Sequence, residues 1–356
     1  MDFKDELFSK IETLDTGTRE KFVRIYKVIE SSGKLLLPSK MEPWVKESFG
    51  DINKVELQHF IKIINKVTGE GSIFNPLRSK RPLIKDPSFK GLGDEVEFCQ
   101  GDHFSTYQNS TPEDVFGRIK GKYCVTASNV AKYDSFHSLI IFNEHNPLNF
   151  SAEKIEDMLD VAKKYFKKAN EINPESLYPL LFWNILWRAG ASVVHGHAQV
   201  LLTQGMAYSK IDFLRKQILE YENAYFSKYF DDSYAVHKSL GLGFEYAHSK
   251  IMVKLTPIKN NEVLIISNDS NNNFAKAINH VLTSLRDKIS SKSFNLMVYF
   301  PPLSKTQEPW PYIPYFARIV DRGNLESKTS DIGGMELYAQ SVVESNPYTV
   351  MQALKI

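Results

Sequence analysis

Apolar positions early in the chain recur at helical spacing. Phe22, Ile25, Tyr26 and Ile29 form one set, and Leu57, Phe60, Ile61, Ile64 and Val67 another, with Pro38 and Pro43 punctuating between them. This pattern predicts an N-terminal helical extension over residues 1–70. Thr68-Gly69-Glu70-Gly71-Ser72 reads as a linker. Beyond it the pattern changes to apolar strands separated by long helices. Ser138-Leu139-Ile140-Ile141-Phe142 is a buried strand candidate, followed by a turn through Asn146-Pro147. A helix starts after Ser151 as N-cap, with Glu153 in its first turn and an apolar stripe of Ile155, Met158, Leu159, Ala162, Tyr165, Phe166 and Ala169. Two further strands are predicted, Leu180 to Ile185 and Val194 to Leu202.

The same order recurs 125 residues on, counting from Ser138 to Val263. Val263-Leu264-Ile265-Ile266 is a strand, Asn268 to Asn273 a turn, and Phe274, Ile278, Val281, Leu282 and Leu285 mark a helix. Strands at Asn295 to Phe300 and Tyr315 to Val320 complete the unit. An α+β chain of two tandem halves is predicted, each an antiparallel sheet with a long helix, over residues 71–215 and 216–356.

Composition narrows the setting. Lys and Arg total 44 against 42 Asp and Glu, a net charge of +2. That balance gives no reason to expect a nucleic-acid groove or an anionic membrane partner, so any phosphate must be held by a local site. The two cysteines, Cys99 and Cys124, cannot staple 356 residues, which points to a reducing compartment. The charged start, Met1 to Glu6, is unlike a signal peptide, and the apolar runs are strand-sized. A cytoplasmic protein is expected.

The segment richest in chemistry is Ala189-Gly190-Ala191-Ser192-Val193-Val194-His195-Gly196-His197-Ala198-Gln199-Val200. On a strand, His195, His197 and Gln199 project from one face. Spacing alone leaves three readings open: a solvated or structural face, a metal pair, or a catalytic set. Gly190 and Ser192 stand just upstream, where a backbone turn and a hydroxyl can approach a phosphate. Asn184 ends the preceding strand.

This combination resembles the histidine-triad superfamily, whose pattern is an Asn, then Gly-x-Ser-Val, then His-x-His-x-(His or Gln). Gln199 in the last place resembles the branch that includes galactose-1-phosphate uridylyltransferase. Other segments are similar to that branch: Asn75-Pro76-Leu77-Arg78-Ser79-Lys80-Arg81-Pro82, Cys99-Gln100-Gly101-Asp102, Ser128-Asn129, Asn143-Glu144-His145 and Gly333-Gly334-Met335-Glu336. The resemblance covers residues 72–356 and leaves the N-terminal extension without a counterpart.

What it implies is a nucleotidyltransferase working on a nucleotide sugar or dinucleotide and a phosphate-bearing acceptor. His197 would be the covalent nucleophile, with Ser192 and Gln199 on phosphoryl oxygens and His195 orienting the strand. Asn184, Asn129, Asn75, Arg78, Lys80 and Arg81 are the implied nucleotide and phosphate contacts, and Glu336 a substrate contact. The alternatives are a phosphorylase of an ADP-sugar or diadenosine polyphosphate using inorganic phosphate, and a catalytically silent nucleotide-binding protein. No organic cofactor is implied, and a homodimer is left open. The family's structural zinc uses a Cys pair, a later His and the first His of the triad. Val96 stands in place of the first Cys. Cys99, His145 and His195 remain as ligands, with His103 a candidate fourth. The Lys, Phe and Gln that flank the family's Glu have no match around Glu336, so galactose is not carried over. The second half has no His-x-His, so one half is expected to react and the other to shape the pocket.

Overall fold

The computed structural model describes residues 3–82, 84–89, 91–98 and 101–355. The N-terminal unit opens with two helices, α1 (Phe3–Glu12) and α2 (Thr16–Ile25), the second running directly into strand β1 (Tyr26–Lys34). Short helices α3 (Glu42–Phe49) and α4 (Ile52–Glu56) lead to β2 (Leu57–Asn65), which turns back through β3 (Gly71–Phe74). The helix expected over Leu57 to Val67 is therefore a strand. In β2 burial alternates, with Ile61, Ile63 and Asn65 inward. Ile61, Ile63 and Ile64 are β-branched and suit a pleated, half-buried surface; pairing with β1 across the whole strand overrides the helical spacing.

Helices α5 (Leu92–Phe98) and α6 (Tyr107–Ser110) precede β4 (Cys124–Ser128) and β5 (Phe136–Phe142). The long α7 (Ala152–Ile172) begins at Ser151, whose hydroxyl accepts from the Lys154 amide, and is followed by β6 (Ser176–Ile185) and β7 (His197–Gln204). Then come α8 (Ser209–Tyr225), α9 (Tyr229–Ser239), β8 (Gly243–Tyr246), β9 (Ser249–Val253) and β10 (Val263–Ser267). The second unit closes with α10 (Asn272–Lys288), β11 (Phe294–Tyr299) and β12 (Tyr315–Asp321), before α11 (Gly334–Tyr338), β13 (Ser341–Val343) and α12 (Pro347–Leu354). The expected boundary at 215/216 falls inside α8. No helix of the described residues is long and apolar enough to cross a membrane.

The two halves fuse into one sheet of nine strands, ordered β4-β5-β7-β6-β11-β12-β10-β9-β8. The order reads alike from its centre outwards. β5–α7–β6–β7 matches β10–α10–β11–β12, and an approximate two-fold axis passes between β6 and β11. Register makes the match residue by residue. Leu139 pairs with Gln199, and its counterpart Leu264 pairs with Arg318. Gln199 pairs onward with Phe182 and Arg318 with Met297, and Phe182 and Met297 pair with each other. Arg318 thus stands where Gln199 does, and Phe316 where His197 does.

Alternation gives the sheet two faces. One is sealed by α7 and α10, with Ile140, Ala198, Val200, Trp183, Leu296 and Ala317 packed among Met158, Tyr165, Ile278 and Val281 in a continuous core. The other carries His137, His197, Gln199, Asn184, Asn295 and Arg318. The four-stranded sheet β1-β2-β3-β13 joins the second half through Asn65, whose amide donates to Tyr229 Oη at 2.8 Å, and α2 beside it through a Lys21–Asp232 ion pair at 2.9 Å.

Candidate functional site

β7 begins at His197, three residues later than the sequence pattern suggests. Gly196 explains the tight entry. Its N–H donates to the His145 carbonyl at 3.0 Å and its own carbonyl accepts from Phe142 N–H at 2.9 Å. A Cβ there would stand 3.0 Å from the Phe142 ring and 3.3 Å from the Glu144 carbonyl, so a side chain would have to push Phe142 aside between the two histidines. Upstream, Gly190 sits at φ +90°, a left-handed conformation that glycine takes without strain, and reverses the chain after Asn184. Ser192 follows on the exposed rim of that turn.

His197 is buried, and burial pulls its pKa below the ordinary histidine value. Its Nδ1–H donates to the His195 carbonyl at 2.8 Å. That bond fixes the tautomer and leaves Nε2 as a bare lone pair. Phe104 lies edge-on to the ring at 5.1 Å between centroids. With Val125, Ala127 and Ile141 it forms a small apolar cluster on the same sheet face, against which Leu139 and Val193 pack.

Gln199 is held by a residue that motif reading passes over. His137 is fully buried on β5, and burial lowers its pKa, keeping the ring neutral. Its Nδ1 accepts from the Tyr133 amide at 3.0 Å, so the proton is on Nε2, 2.8 Å from Gln199 Oε1. With its oxygen taken, Gln199 presents its NH2 as a donor. The Asn129 amide nitrogen lies 3.3 Å from the same His137 nitrogen, which brings Asn129 into the group. In the sequence His137 is a single histidine next to Ser138 at the head of the apolar run Leu139–Phe142, a faint signal at most.

Behind this strand three acceptors converge. His195 Nε2–H donates to the Phe142 carbonyl at 2.8 Å, and His145 Nε2–H to the Val96 carbonyl at 3.0 Å. Their Nδ1 atoms therefore face each other as lone pairs, 3.1 Å apart, with Asp102 Oδ1 3.1 Å from His195 Nδ1. Asp102 Oδ2 is buried without a hydrogen-bond partner. One atom from each residue lies within 4.8 Å of the others. Asp102 Oδ1 also accepts from the Phe104 and Ser105 amides, and the three acceptor atoms together could hold a cation. The donor set of two imidazoles and a carboxylate, with an orphaned carboxylate oxygen, fits a zinc ion. Cys99 lies outside the described residues. His103 is exposed and turns its ring onto Phe104, and it is the neighbouring Asp102 that approaches His195.

The remaining sequence candidates divide. Asn184 Oδ1 accepts from Asn295 Nδ2 at 2.7 Å, and Asn295 also donates to the Ala189 carbonyl at 2.8 Å, bracing the turn that ends at Ser192. Arg322 donates in turn to Asn295. Asn75 caps the 3-10 turn Pro76–Lys80 by accepting from Leu77 N–H at 3.0 Å. Arg78 and Arg81 lie beside the Glu344 carboxyl, which burial pushes up and these two arginines draw down. Lys80 donates to the Phe49 carbonyl at 2.9 Å. Glu336 accepts from Gly333 N–H at 2.9 Å, closing its own helix. These five residues make their contacts in the N-terminal unit and the C-terminal segment, and the structure does not bring them to His197.

No protein-family model matches the chain, and neither does any curated protein sequence. Solved structures do match. An ADP-glucose phosphorylase from Arabidopsis thaliana, with ADP-glucose bound, aligns with a TM-score of 0.61 at 19% identity, over 82% of this chain and 97% of its own. The chain has the fold of the uridylyltransferases. A galactose-1-phosphate-uridylyltransferase-like protein from Arabidopsis thaliana gives 0.57 at 18% identity, over 81% and 95%. A uridylyltransferase gives 0.55 at 15%, over 83% and 97%. The uridylyltransferase fold accounts for the nine-stranded sheet and its long covering helices; at these identities it speaks for architecture alone.

Proposed function

We propose that the protein splits a nucleotide sugar or dinucleotide and passes the nucleotidyl group, by way of His197, to a phosphate-bearing acceptor. The observation that carries this reading is the Nδ1–H bond from His197 to the His195 carbonyl, which leaves Nε2 free to attack. The Nε2 lone pair forms a bond to the α-phosphorus, and the bond from phosphorus to the bridging oxygen breaks, releasing a sugar phosphate or nucleotide. An oxygen of the acceptor phosphate then attacks the same phosphorus and the P–N bond breaks, returning His197 to its starting state. The Gln199 NH2 donates to a nonbridging oxygen as charge develops, and Ser192 is the second candidate donor. The Phe104, Val125, Ala127 and Ile141 cluster offers the base an apolar seat beside the nucleophile. A zinc ion held by Asp102, His145 and His195 would fix the entry of β7 and take no part in the displacements.

ADP-glucose, which the similar phosphorylase binds, and UDP-glucose are the natural first probes. Incubation with either, labelled at the α-phosphorus, should give one acid-labile, base-stable label per chain, and His197→Gly should abolish it. Release of that label by inorganic phosphate marks a phosphorylase, and release by a hexose 1-phosphate marks a transferase. Undiminished labelling of His197→Gly overturns the assignment. An unlabelled wild type that still binds the nucleotide is the silent binder.

A further inference from the structure

The second half holds a cavity of about 480 Å³ that the chemistry at His197 does not use. β10, β11 and β12 form its floor, on the same sheet face as His197, and Thr68–Glu70 and the start of α8 form its walls. By the two-fold that relates the halves, it is the counterpart of the His197 site. Phe316 replaces the nucleophile and Arg318 the amide. Phe213, Phe230, Phe316, Met297 and Leu264 line it. Phe230 and Phe316 are 5.6 Å apart, and Tyr299 stacks behind Phe316 at 4.8 Å. The volume lies within the usual range for small-molecule sites, and the mix of apolar walls with a few polar groups is their usual composition.

The polar groups discriminate between ligands. Arg318 Nη1 lies 2.7 Å from Glu70 Oε1, Arg318 Nε 2.7 Å from Glu262 Oε1, and Lys254 Nζ 3.2 Å from Glu70 Oε2. Glu70 and Glu262 neutralise Lys254 and Arg318 at the floor, leaving no buried charge over for a phosphate there, while Lys210, which also lines the cavity, is exposed at its mouth. A buried ion network of this kind is a weak source of stability. It does fix carboxylate acceptors and guanidinium donors at the edge of an aromatic slot. Arg318 Nη2 also lies 2.5 Å from Glu262 Oε1, so the guanidinium is held on two sides by carboxylates. Aromatic and apolar faces with donors and acceptors along one edge are how proteins read a flat heterocyclic base.

We propose that this cavity is a second ligand site, taking an uncharged nucleoside and separate from the site at His197. The choice of a nucleoside rests in part on reading the first half as a nucleotide site; the existence of the cavity site does not. Asn295 lines the cavity and donates to both Asn184 and the Ala189 carbonyl. An occupant resting on Asn295 therefore touches the residue that braces the turn preceding Ser192.

Equilibrium dialysis with radiolabelled adenosine and, separately, uridine tests this in His197→Gly protein saturated with AMP. One further nucleoside per chain is expected. Met297→Trp, which fills the cavity, should weaken that binding at least tenfold while leaving AMP affinity unchanged. Phe213→Ala, at a half-exposed position of α8, should weaken it less but measurably, and serves if the tryptophan variant does not fold. The proposal is overturned if neither nucleoside binds beyond the AMP site, or if both variants bind it as tightly as the parent. Because His197 is absent throughout, a failure of the nucleotidyl-transfer reading leaves the result intact.

Discussion

Gln199 shows how one side chain takes its role from its neighbour. The amide has a donor end and an acceptor end, and the sequence does not say which faces a substrate. His137 decides it, because its Nε2–H occupies Oε1. Gln199→Glu keeps the shape and the bond to His137 but replaces the donor with a second acceptor carrying negative charge. Labelling of His197 by an α-labelled nucleotide sugar should then slow by roughly 100-fold or more, the usual cost of losing one such donor. Quenched-flow labelling at matched substrate concentration measures it, and the melting temperature should stay near that of the parent. A labelling rate within threefold of the parent would show that Gln199 contacts no phosphoryl oxygen. The sequence singled out His197 and Gln199 because a strand alternates and because the motif around them resembles a known family. His137 was not, since a single histidine outside any motif gains meaning only when β5 pairs with β7.

At the scale of elements, the entry to β7 is a meeting of three segments: the loop after α5 with Asp102, the turn after β5 with His145, and the approach to β7 with His195. Two of the three converging residues, His145 and His195, were named from the family resemblance. Asp102 was passed over for its neighbour His103, because which of two adjacent polar residues points inward depends on a loop without period. The facing lone pairs of His145 and His195 require either zinc or a shared proton between them, and these differ in what they predict. With zinc, purified protein should hold about one equivalent per chain, and a chelator should strip it and lower the melting temperature. Asp102→Asn, nearly the same size but without the charge, should lower zinc content in the same direction. Metal-free protein whose melting temperature does not respond to a chelator would assign the cluster to the proton.

The whole molecule is two architectures on one chain, and they differed in legibility. The nine-stranded sheet repeats its own pattern, so Ser138–Phe142 and Val263–Ile266 announced each other and their helices. The N-terminal unit has no such repeat. β1 and β2 pair over their full lengths, and that pairing, invisible in either strand alone, turned an expected helix into sheet. The joint between the two architectures carries a pH dependence. His237 on α9 is fully buried edge-on to Tyr26, with Lys254 as a further repelling charge, and its Nδ1–H donates to the Ser233 carbonyl. Its Nε2 is buried without a partner. Burial lowers its pKa from 6.5 to about 4. Between those values the unfolded chain takes up a proton that the fold refuses. The stability due to this group is therefore complete above about pH 6.5, declines as the pH falls, and stops declining near pH 4. The full span corresponds to roughly 3 kcal/mol, of which about 2 kcal/mol is lost by pH 5. His237→Gln removes the titration. Denaturant unfolding at pH 7.5 and pH 5 should show the parent losing about 2 kcal/mol more than the variant, all other groups titrating alike in both. Equal losses in the two proteins would mean that His237 is protonated within the fold and that water reaches the joint.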